Sequence, residues 1–195
     1  MDSARLKFLT KETSTAKENA ILHKAHKLGI VLDEKAFLRA IRTPGTLESF
    51  TAYDNFDAMQ EFLDAKKVEN KNIDEFFSKK CCGLNCIPIQ LAALYKSVDC
   101  FAYIMQETPP QREIYENLMS CALVSGNTAI CLLFKEKSEN ELKGLKIDNR
   151  CIELIPMPLL AWSNKVFKVD MSSVSVKAYE YNRPDIVLYC ICQGG

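Results

Sequence analysis

Residues 87–105, IPIQLAALYKSVDCFAYIM, decide how the chain folds. Ile87 to Tyr95 is almost entirely apolar, Lys96-Ser97 interrupts it, and a second apolar stretch follows from Asp99. Pro88 suits the first turn of a helix, where its missing N–H is not needed. The reading is two short helices joined by a tight turn. Short helix pairs invite a search for a repeat, and two further stretches align with this one: NLMSCALVSGNTAICLLFK at 117–135 and SVSVKAYEYNRPDIVLYCI at 173–191. Ala92, Ala122 and Ala178 coincide in that alignment, as do Lys96, Gly126 and Asn182 at the joint. Small alanines let two helices approach closely, and a residue able to take positive φ turns the chain between them.

Other helix signals lie on both sides. Thr15-Ala16-Lys17-Glu18 has the form of a capping box, and Gly29 is placed to end the helix carrying Ile21, Ala25 and Leu28. Asp33 can cap a helix bearing Phe37 and Ile41, stopped by Thr43-Pro44-Gly45. Phe56, Met59, Phe62 and Leu63 predict a third helix, and Asn72 a short fourth one. Residues 137–150 are polar. Prolines and β-branched residues crowd 151–171, where a short β-hairpin insertion is expected.

The stretch 87–105 resembles the ankyrin repeat. The family's T-P-L-H-x-A-A-x-x-G is matched by Ile87-Pro88-Ile89-Gln90-Leu91-Ala92-Ala93-Leu94-Tyr95-Lys96. Ile87 stands where the family has a hydroxyl residue, and Lys96 where it has glycine. The spacings between aligned segments are 30 and 56 residues, not the family's ~33. The resemblance implies an all-α fold of ankyrin-like stacked helix pairs. Residues 1–80 form a helical N-terminal part, read either as degenerate repeats or as HEAT-like pairs. Residues 81–195 carry the ankyrin-like repeats, with the insertion at about 137–172, and one continuous domain is expected. The divergent style is similar to repeats of protist, viral and intracellular-bacterial proteins, which implies an effector acting in a host cytosol.

Composition narrows the function. Lys plus Arg equals Asp plus Glu at 25 each, so nothing concentrates the positive charge that nucleic acid needs. No apolar run reaches the ~20 residues of a membrane helix, and the start has no signal-peptide stretch; a cytoplasmic protein with no membrane insertion is expected. Nine cysteines is an odd count, and the expectation is reduced, mostly buried thiols. Cys81, Cys82 and Cys86 differ, since they fall in the loop before a helix. Lys79 and Lys80 could lower a thiol pKa there, making Cys81 or Cys82 a candidate redox-sensitive group. Zinc needs four ligands, and no second CxxC follows. His23 and His26 share one helix face without a metal motif. No GxGxxG, phosphate loop or GxSxG is present, so no cofactor and no metal are expected.

Repeat stacks expose long surfaces that bind other molecules. The resemblance implies a non-catalytic module that binds another protein through loop tips and exposed ends of first helices. That surface comprises Cys82, Gly83, Leu84, Asn85, Leu94 and Tyr95, then Arg112, Glu113, Tyr115, Val124 and Ser125, then Glu180 and Tyr181. Tyrosine and arginine are enriched in binding hot spots. Trp162, the only tryptophan, is a second candidate anchor. The alternative is a thiol hydrolase or transferase pairing a loop cysteine with His23 or His26.

Overall fold

The computed structural model describes residues 3–69, 71–109, 112–138, 147–167 and 169–194, with side chains for all of these except 3–14, 112–113, 134, 137–138 and 167. The described residues form twelve α-helices and one 3-10 turn. They contain no strand, only an isolated antiparallel bridge between Val31 and Leu84.

Helix α1 (Ser3–Lys27) is longer than its capping-box signal suggests: Thr15 to Glu18 lie inside it. It ends at Gly29, whose φ is +68°. Ile30 N–H reaches back to the Ala25 carbonyl at 3.0 Å and Gly29 N–H to that of His26 at 2.9 Å, a Schellman closure that satisfies orphan carbonyls. Helix α2 (Glu34–Arg42) starts where Asp33 accepts from Ala36 N–H at 3.0 Å and buries Phe37 and Ile41. Helices α3 (Leu47–Tyr53) and α4 (Phe56–Val68) are capped by Thr46 and Asn55, and α5 (Ile73–Ser78) by Asn72. Next come α6 (Pro88–Tyr95), α7 (Val98–Glu107), α8 (Arg112–Ser125) and α9 (Thr128–Ser138). A 3-10 turn at Asn149–Cys151 leads to α10 (Met157–Phe167), α11 (Met171–Glu180) and α12 (Pro184–Cys192).

The helices pair and stack. First helices pack in the order α3, α6, α8, and second helices in the order α4, α7, α9. The pairs α3/α4, α6/α7, α8/α9 and α11/α12 each turn on one left-handed residue: Asp54, Lys96, Gly126 and Asn182, with φ of 53°, 63°, 76° and 53°. At three of these joints the following N–H bonds the carbonyl five residues back: Asn55 to Phe50, Ser97 to Ala92 and Arg183 to Ala178. The unit Leu47–Val68 is therefore built like the others, although its sequence does not announce it.

Polar side chains tie each joint to a neighbouring unit. Asp54 accepts from Cys100 N–H at 3.1 Å, capping the first turn of α7. Ser97 Oγ donates to the Thr51 carbonyl, and Asn127 Nδ2 to that of Lys96. Arg183 donates to the carbonyls of Ile152, Glu153 and Ile155 at 2.9–3.1 Å. At α6 the isoleucine in the cap position is tolerated because Gln90 Oε1 accepts from Ile87 N–H at 2.9 Å, which is half of a capping box.

The expected hairpin at 151–171 is corrected. The segment holds the end of the 3-10 turn, then α10 and the first residue of α11. Pro156 and Pro158 sit around the start of α10, where proline is compatible with a helix. Packing on the core overrides the weak strand preference of the β-branched residues.

Candidate functional site

The cysteine loop is a packed knob. Gly83 takes φ +74°, and its carbonyl accepts from both Leu32 and Asp33 N–H at 2.9 Å. A β-carbon there would stand 2.2 Å from the Asp33 carbonyl oxygen and 2.6 Å from Phe37 N. Asn85 N–H donates to the Ile30 carbonyl at 2.7 Å, Cys81 N–H to that of Cys86 at 2.8 Å, and Cys82 N–H to Glu48 Oε1 at 3.0 Å. The loop is thus clamped against the α1–α2 connection and α3. Cys81 and Cys86 are buried and Cys82 is exposed, so the expected open finger is corrected for two of its three thiols.

Burial governs the thiol chemistry. The hydrogen bond with the Cys86 thiol, followed by burial, holds Cys81 well above the ordinary cysteine value. Burial pushes Cys100, Cys131 and Cys151 up to about 12 and Cys121 well up. A nucleophilic or redox-sensing thiol needs the opposite shift, so the candidate redox role fails for Cys81. His26 Nε2 lies 3.4 Å from Glu34 Oε2. Among the described residues neither His23 nor His26 hydrogen-bonds a cysteine, and no group of three His, Cys, Asp or Glu could hold a metal ion.

Six of the residues expected to meet a partner are enclosed. Leu84, Leu94, Tyr95, Tyr115, Val124 and Ser125 are buried, which corrects their assignment to an open surface. Cys82, Asn85 and Glu180 are exposed and Tyr181 is half-buried. The side chains of Arg112 and Glu113 lie outside those described. At Tyr95 and Ser125 the physical reason is α1, which runs across the C-terminal ends of α3, α6 and α8. Lys17 Nζ sits 5.4 Å from the Tyr95 ring centroid and donates to the Ala52 carbonyl. Lys24 Nζ donates to the Ser125 carbonyl at 3.3 Å, and Lys27 pairs with Glu153 at 2.7 Å. Arg150 Nη1 then donates to the Leu28 carbonyl. A helix advances 1.5 Å per residue, so Lys17 and Lys24 reach successive units of the stack.

A buried polar cluster fixes α1 in that place. Glu18, 3% exposed, accepts from Arg42 Nε at 3.1 Å and Nη2 at 2.5 Å, and from the Tyr53 hydroxyl at 3.3 Å. Burial, then the Glu18 carboxylate, raises the Tyr95 phenol. Its hydroxyl is buried without a hydrogen-bond partner among the described residues.

An apolar opening lies between α9 and α10. Thr128, Cys131 and Leu132 of α9 and Pro158, Leu159 and Trp162 of α10 line a groove of about 240 Å³. Leu132 is 49% exposed and Trp162 half-buried. Successive second helices pack directly up to α9, but α9 and α10 are parted at this groove. Sequence reading reached Trp162 because it is the only tryptophan. It missed Leu132 and Pro158, which carry no signal apart from the repeat alignment that puts Leu132 on a second helix.

Among the described residues no helix is long and apolar enough to cross a membrane. Comparison of the chain with protein-family models, with curated proteins and with solved structures gives no match.

Proposed function

We propose that the protein is a non-catalytic binding module for another protein, and that the groove between α9 and α10 receives an apolar side chain of that partner. The observation that carries this reading is the groove itself, an apolar slot with an aromatic wall on a helix stack. Its volume is below the roughly 300–1,000 Å³ of small-molecule sites and suits an inserted aliphatic or aromatic side chain. Tryptophan is among the residues enriched at binding hot spots. Stacked helices preorganise the slot, so little ordering entropy is lost on binding. The raised thiols and the His26–Glu34 pair favour this reading over thiol catalysis. The like-on-like order of helix pairs supports divergent ankyrin-like stacking as the scaffold.

The test uses the purified chain as bait, wild type against Leu132→Asp. Leu132 is half exposed, so the fold survives, while a carboxylate in an apolar slot is costly to desolvate. Binding of a partner falls at least about tenfold if the groove is the site. Equal binding by both baits, with equal melting, refutes it.

A further inference from the structure

Helix α10 differs from the other second helices in what supports it. Helices α4, α7, α9 and α12 each pack along the first helix of their own pair. Where α10 would have such a helix, between α8 and α11, lies the 3-10 turn Asn149–Cys151. Cys151, Ile152 and Ile155 are fully buried there, and the Cys151 thiol donates to the Ser120 carbonyl of α8 at 3.8 Å. Among the described residues no other element lies closely along α10. The turn has three residues and α10 eleven, so about 6 Å of support stands beside about 16 Å of helix. The space left beside α9 is the groove.

Arginines take over the missing support. Carbonyls at the end of such a turn lack backbone donors. Arg183 Nη1 donates to those of Ile152 and Glu153 at 3.1 and 2.9 Å, and Nη2 to that of Ile155 at 3.1 Å. Asp185 holds the same guanidinium through Nε at 3.0 Å and Nη2 at 2.8 Å. From the other side Arg150, held by Asp148, donates through Nη1 to the Leu28 carbonyl at the end of α1, and Lys27 pairs with Glu153 at 2.7 Å. At earlier joints the residue after the turning residue is short: Ser97 and Asn127 each meet one carbonyl of the adjoining pair. The equivalent place in the last pair holds Arg183, whose planar fork serves three. The clasped segment runs straight into α10, because the Pro156 carbonyl accepts from Leu159 and Leu160 N–H at 2.9 and 3.1 Å.

We propose that Arg183 and Arg150 are positioning residues for the groove: they fix residues 148–155 and with them the start of α10, which sets Pro158, Leu159 and Trp162 opposite α9. The inference rests on the reading of the groove as the binding site, but its test needs no partner. Trp162 is the only tryptophan and stands in the groove wall, so its fluorescence reports where that wall lies. Leu159 and Leu160 remain buried in the core, which keeps α10 helical when the clasp is lost. Arg183→Met retains the stem and removes the fork, and acrylamide quenching of Trp162 rises at least about twofold as α10 loosens locally. Arg183→Lys, with the charge but no fork, falls between the two. Asn55→Ala removes the α4 cap at the far end of the stack; it lowers stability and leaves the quenching at the wild-type value. Unchanged quenching in a folded Arg183→Met protein, or an equal rise in Asn55→Ala, overturns the proposal. Should Arg183→Met not fold, Arg150→Met decides by the same two results. Unchanged quenching would leave the slot standing as a binding site, whereas a slot that takes no partner would leave the rise in quenching standing.

Discussion

Raising the pH from about 7 to about 9.5 destabilises the folded chain by roughly 7 kcal/mol, through its buried cysteines. Cys81, Cys100, Cys121, Cys131 and Cys151 are each 4% exposed or less; the hydrogen bond with Cys86 and then burial hold Cys81 above the ordinary value, and burial does so for the other four. In the unfolded chain each ionises near its ordinary pKa of about 8.5. The sign follows: the folded pKa is raised, so this stability is fully present below about 8.5 and is lost as pH climbs toward the folded value. One unit above 8.5, each thiol that must stay protonated in the fold forfeits about 1.4 kcal/mol. Five such thiols give the total, against a typical stability of about 5–15 kcal/mol. The assay is urea denaturation at both pH values with a reductant present. Replacing Cys151 by alanine recovers about 1.4 kcal/mol of the pH-dependent loss. Stability that is flat between the two pH values refutes the reasoning, because it would mean that these thiols ionise as freely in the fold as outside it. At neutral pH an aromatic disulfide reagent should titrate Cys82 and Cys192 at once, the two exposed cysteines, and the remaining seven only on unfolding.

Three further substitutions test the packing. Gly83→Ala costs about 3–4 kcal/mol, because positive φ is joined by a backbone clash that breaks the Asp33 cap; Gly45→Ala, with φ +82° and nothing within 4 Å, costs only about 1 kcal/mol, and equal melting losses would contradict the clamp. Lys96→Gly stabilises by about 0.5–1 kcal/mol, the relief of left-handed strain at φ 63° outweighing the added freedom of the unfolded chain; a lower midpoint in urea counts against it. Arg42→Ala destabilises by about 2 kcal/mol, below the roughly 3–5 kcal/mol for fully buried pairs because Arg42 is 53% exposed. A variant as stable as wild type would show that Glu18 does not need this partner.

The sequence made some of this architecture legible and hid the rest for identifiable reasons. The pairs α6/α7 and α8/α9 were readable because Ala92 and Ala122 sit at matching places ahead of an interrupted apolar run. The pair α3/α4 shares their geometry, but Phe50 stands where the others have alanine and Asp54 is the turning residue, so its register was not visible. Valines at 166, 169, 174 and 176 suggested strands in α10–α11 because short-range propensity is weak against tertiary packing. Two residues of the expected binding surface are enclosed for a different reason. Tyr95 and Ser125 lie at first-helix ends, but nothing in the local pattern says that α1 runs across them. That contact depends on Lys17, Glu18 and Lys24 meeting partners 24–101 residues away. The cysteine loop was legible as a loop and misread as open, because Gly83 draws it onto the start of α2 through backbone bonds that side-chain chemistry does not reveal.

The groove between α9 and α10 carries the proposed function. A photo-crosslinking residue placed at position 132, compared with one at the remote and 83% exposed Val68, tests whether a partner enters it. The expected result is a specific adduct from position 132 alone, abolished by Trp162→Ala in a folded protein. Crosslinks that form equally from both positions, or that survive the loss of Trp162, would contradict it.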